Sequence, residues 1–118
     1  MIITSYNLIE DTNSYDVTLY FAILHHILKN YTLDQVIELV YKQTKKYCVI
    51  ELPFNQDVLL KNVIRYSTSV YEKSFKYLEN TEIFEKVIQD KFDIMYSTKV
   101  DYGSKDLDRY AYVLIKKI

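Results

Sequence analysis

The stretch Tyr15-Asp16-Val17-Thr18-Leu19-Tyr20-Phe21-Ala22-Ile23-Leu24, taken with Thr32-Leu33-Asp34-Gln35 and Tyr47-Cys48-Val49-Ile50-Glu51-Leu52-Pro53, decides the fold. The first segment is a near-continuous apolar run of β-branched and aromatic residues, the pattern of a central strand buried on both faces. Thr32 is placed to cap a helix and Gln35 to complete a capping box. Leu33, Val36, Ile37, Leu39, Val40 and Thr44 then recur at helical spacing, with Lys42, Lys45 and Lys46 near the expected helix end, where the macrodipole favours cations. Tyr47 to Leu52 reads as a second buried strand, stopped by Pro53, which has no amide hydrogen to give a ladder. A strand, a helix and a strand within about forty residues form a βαβ unit, whose strands are expected to lie parallel.

Working outward, Asp57 to Lys91 reads as two or three short helices. Their apolar positions are Val58-Leu59-Leu60-Val63-Ile64, Val70-Tyr71-Phe75-Tyr77-Leu78 and Ile83-Phe84-Val87-Ile88, with Asn80-Thr81 introducing the last. Phe92-Asp93-Ile94-Met95-Tyr96-Ser97-Thr98 and Tyr110-Ala111-Tyr112-Val113-Leu114-Ile115 read as an antiparallel hairpin whose connection holds Gly103. Residues 1–14 form an amino-terminal segment that could add a further strand. The whole, residues 1–118, is read as one domain.

Composition narrows the function. The 118 residues are 49% hydrophobic and 26% charged, which is globular rather than disordered composition. A single glycine excludes the glycine-rich loops that cradle phosphates or dinucleotides, because those need several freely rotating backbones in succession. Fifteen basic against sixteen acidic residues, net charge -1, lack the excess that drives non-specific nucleic-acid binding. Cys48, the one cysteine, can form neither a disulfide framework nor a cysteine-based zinc site within the chain. The amino terminus lacks the pattern of a signal peptide and no stretch has eighteen uninterrupted apolar residues, so a soluble cytoplasmic protein is expected.

The order of elements, together with four local phrases, resembles the carboxy-terminal half of a class I S-adenosylmethionine-dependent methyltransferase. The phrases are Tyr15-Asp16-Val17 with Ile23-Leu24-His25-His26, Ile50-Glu51-Leu52-Pro53, Tyr77-Leu78-Glu79-Asn80-Thr81-Glu82-Ile83-Phe84-Glu85, and Phe92-Asp93-Ile94. The likeness runs from residue 15 to residue 116. It implies an α/β fold: a truncated Rossmann-like methyltransferase sheet of parallel strands with a carboxy-terminal antiparallel hairpin and flanking helices. The family's glycine-rich cofactor loop and the acidic strand end that holds the cofactor's ribose have no counterpart. The resemblance therefore implies no S-adenosylmethionine binding by this chain alone, the cofactor entering only if a partner supplies the missing half.

Candidate sites follow. The resemblance places His25, His26, Glu51 and Pro53 at the carboxyl ends of the parallel strands, where ligands meet open α/β sheets. Adjacent histidines on a strand would point to opposite faces, so no metal site is assigned. Loss of the neighbouring strand would bare an edge flanked by Leu19, Phe21 and Ile23, a candidate interface for a second copy or for a protein that supplies the missing half. Glu51 reads equally as a ligand-side group or as a partner for a lysine or amide. Arg65-Tyr66, Tyr71-Lys73, Lys76-Tyr77 and Arg109-Tyr110 could supply the basic and aromatic pairing of a nucleic-acid surface. Their helical and strand spacing also fits rings packed at the core boundary. Asp101, Asp106 and Asp108 read as an exposed turn.

Three functions remain open at this point. The leading one is a methyltransferase-like half-domain that acts as a non-catalytic or partner-completed subunit. The others are one half of a split active enzyme and a small α/β nucleic-acid-binding protein.

Overall fold

The computed structural model describes residues 12–21, 24–28, 31–54, 57, 60–61, 76–101, 103 and 106–118, with the backbone alone at His25 and His26. The sequence segments from 1 to 11 and from 62 to 75 lie outside these, as do Ile23 and the readings made on Arg65, Tyr66 and Tyr71 to Lys73.

Strand β1, Tyr15–Phe21, is followed by the short helix α1, Leu24–Ile27, then by α2, Leu33–Gln43, and β2, Thr44–Pro53. A 3₁₀ turn at Lys76–Leu78 precedes α3, Thr81–Ile88, and the chain closes with β3, Phe92–Val100, and β4, Arg109–Lys116. The four strands form one sheet in the order β1-β2-β4-β3. β1 and β2 are parallel, as the βαβ pattern requires, while β4 runs antiparallel to both β2 and β3. Gly103, in the β3–β4 connection, takes a φ of 74°, a left-handed backbone that glycine adopts without strain.

The helix starts are as the sequence dictates. Thr32 Oγ1 accepts from the Gln35 amide at 3.2 Å and Gln35 Oε1 accepts from the Thr32 amide at 2.9 Å, so both halves of the capping box form. At α3 the Asn80 side chain accepts from the Ile83 amide at 2.9 Å. Leu33, Val36, Ile37 and Val40 of α2 and Phe84 and Ile88 of α3 are buried in one core with Tyr20, Cys48, Ile50, Leu52, Tyr112 and Leu114 of the sheet. Each such aliphatic side chain contributes roughly 1.5–3 kcal/mol on burial. Edge-on aromatic contacts, Phe54 to Phe84 at 5.7 Å and Phe54 to Tyr110 at 5.4 Å, close the core where β2 ends.

A polar belt crosses the floor of this core. Thr18 and Thr44, both fully buried, hold their hydroxyls 2.7 Å apart, and the Tyr20 hydroxyl donates to Gln43 Oε1 at 2.8 Å. These bonds tie β1 to the α2–β2 junction. Cys48 lies beside them, and burial pushes its thiol up to about 12, against the opposing pull of hydrogen bonds with Thr18 and Thr44. It is a packed, inert thiol.

Three expectations need correction. β1 is not a central strand with two buried faces: Thr18 and Tyr20 are buried, Leu19 is half-buried, and Val17 and Phe21 are 43% and 47% exposed. A continuous apolar run reports what each residue can pack against, and the neighbour needed to bury the second face is not among the described strands. The strand also stops at Phe21, and Leu24, His25 and His26 belong to a helix, so the alternation of adjacent histidines across a strand does not apply. Finally, α2 ends at Gln43, so Thr44, Lys45 and Lys46 begin β2, because Thr44 takes an extended backbone with φ -102° and ψ 126°.

Candidate functional site

Parallel pairing brings the carboxyl ends of β1 and β2 to one side of the sheet, and antiparallel pairing brings the start of β4 to the same side. Phe21 is level with Glu51, Glu51 with Ala111, and Pro53 with Arg109. α1, which carries His25 and His26, begins three residues after Phe21. The backbone thus gathers His25, His26, Glu51 and Pro53 at one sheet end, the end where open α/β sheets receive ligands.

Here a buried charge cluster forms. Arg109, 8% exposed, donates from Nε to Asp57 Oδ2 at 3.1 Å, and its Nη1 lies 3.5 Å from Glu51 Oε1. Asp57 is fully buried and caps a helical turn, its Oδ1 accepting from the Leu60 amide at 3.3 Å while its carbonyl accepts from Lys61. Asp57 Oδ2 also accepts from the Asp108 amide at 3.1 Å, and the Phe54 amide donates to the Asp108 carbonyl at 2.7 Å. One carboxylate therefore fastens the segment after β2 to the start of β4. The basic partner that the structure shows for Glu51 is an arginine rather than the expected lysine. That partner is Arg109, whose place in the chain gave no sign of it.

Asp57 and Arg109 are the residues that sequence reasoning missed. They stand 52 positions apart, and an Asp opening a short apolar helix carries no mark of burial. The one available signal was local: Asp57 three residues before Leu60 has cap spacing.

Elsewhere the candidates disperse. Of the basic and aromatic pairs, Arg109 is held in the cluster, Tyr110 packs against Phe54, and Tyr77 is half-buried against the core. Asp101 Oδ1 accepts from the Gly103 amide at 2.7 Å, which makes a local turn. No group of three or more metal-binding side chains occurs among the described residues. A shallow groove of about 430 Å³ runs along the outer side of α2, between Ile27, Tyr31, Val36, Leu39 and Lys42, away from the charge cluster. Its walls are apolar with a charged rim, and it holds none of the candidate residues. Among the described residues no helix is long and apolar enough to cross a membrane.

No protein-family model and no curated protein sequence matches the chain. Solved structures do. The chain is similar to the N-methyltransferase NodS from Bradyrhizobium japonicum, with a TM-score of 0.59 and 10% identity, over 90% of this chain and 53% of that one. A putative S-adenosylmethionine-dependent methyltransferase from Listeria monocytogenes matches with a TM-score of 0.61 and 11% identity, over 92% of this chain and 64% of that one. Magnesium protoporphyrin IX methyltransferase from Synechocystis, solved with bound S-adenosylhomocysteine, matches with a TM-score of 0.57 and 10% identity, over 93% and 48%. The fold is thus that of S-adenosylmethionine-dependent methyltransferases, and the chain spans about half to two thirds of the length of these three.

The one glycine sits exposed in the β3–β4 connection with nothing within 4 Å of where its Cβ would be, and Glu51 at the end of β2 is committed to Arg109.

Proposed function

We propose, from a fold that matches methyltransferases over only part of their length, that this chain is a methyltransferase-like half-domain. It does not hold S-adenosylmethionine by itself and acts as a non-catalytic or partner-completed subunit. The observation that carries this reading is the coverage: nine tenths of the chain aligns with 53% of one methyltransferase and 93% of it with 48% of another. The position of Gly103 supports it, because a lone glycine in an exposed turn leaves no run of free backbone to cradle a cofactor. The Glu51–Asp57–Arg109 cluster supports it as well, since charges that satisfy one another in the interior serve the scaffold.

The rival reading, one half of a split active enzyme, draws support from the gathering of α1, Glu51 and Pro53 at one sheet end. In that case the carboxyl edge would line the substrate side, and this half would supply positioning rather than acid or base chemistry. Isothermal titration of the purified chain with S-adenosylmethionine separates the readings. No saturable heat is expected from the chain alone; micromolar binding would overturn the half-domain reading. Binding and methyl transfer that appear only with a second polypeptide would promote the split enzyme.

A further inference from the structure

We draw no further inference here: the strongest candidate, the apolar groove along the outer side of α2 between Ile27, Tyr31 and Leu39, carries nothing because nothing in the structure shows what covers it.

Discussion

The two ends of the sheet both collect charge, and they use it in opposite ways. At the carboxyl end one arginine serves two carboxylates in a space that water hardly reaches, and Asp57 is fully buried. At the amino end α2 and α3 both terminate, and helix carbonyl ends attract cations. Lys116 donates to the Thr44 carbonyl at 3.0 Å and Lys117 to that of Gln89, while Lys91 and Lys42 flank Glu38 at 3.1 and 3.8 Å. The Tyr41 ring lies under Lys116 and Lys91, at 4.0 and 5.1 Å. Lys42 and Lys117 are exposed, and Lys91 and Lys116 are only half-buried. The comparison teaches that the number of contacts in a cluster says little about its worth. What counts is the solvent each group gave up, and whether its partner would be stranded without it.

The largest effect is expected where stranding is most severe. Arg109→Met leaves Asp57 and Glu51 charged in the interior and should cost about 3–5 kcal/mol in urea denaturation, enough to unfold a marginal domain. A loss below about 1 kcal/mol would mean that the cluster is wetter than its burial indicates. An intermediate effect belongs to the polar belt. Thr44→Val takes from the Thr18 hydroxyl its partner at 2.7 Å and leaves it the weak Cys48 thiol, and should cost about 1–2 kcal/mol, while Thr18→Val/Thr44→Val, which removes both hydroxyls, should recover part of that loss. A double variant as unstable as the sum of the singles would show that the hydroxyls do not depend on each other.

The smallest effect is expected at the amino end. The hydrogen bond from Lys91, ahead of its charge and that of Lys42, holds the Glu38 carboxyl below its ordinary value. A lowered folded pKa means that the stabilisation is complete above the ordinary carboxylate range and is lost as pH falls through the lowered value. Glu38→Gln should therefore lower the melting temperature slightly at neutral pH, and the difference should fade in acid and in high salt. If this substitution harmed the protein as much as Arg109→Met, exposure would not be what separates the two ends.

Local signals in the sequence were read correctly. The cap at Thr32, the cap at Asn80, the period of α2 and the parallel βαβ pairing all rest on residues within a few positions of one another or on a connection of fixed hand. The stretch Phe92 to Thr98 is strand as expected, extended to Val100. What was misread depends on neighbours distant in the chain. An apolar run such as β1 does not record how many strands flank it, and lysines such as Lys45 and Lys46 suit both a helix end and an exposed strand start. Of the candidate site, the gathering of His25, His26, Glu51 and Pro53 at one sheet end followed from parallel pairing. The partner of Glu51 did not.

The sequence by itself determined the kind of elements and their order, because capping, periodicity and β-branched runs act over a few residues. It also determined that no glycine-rich loop is encoded, because that is a count. Tertiary structure alone decided that Asp57 and Arg109 meet, that β1 is the outermost of the described strands on its side and exposes Val17 and Phe21, and that two clusters of similar charges differ in burial. Those outcomes depend on which surfaces the packed sheet removes from water.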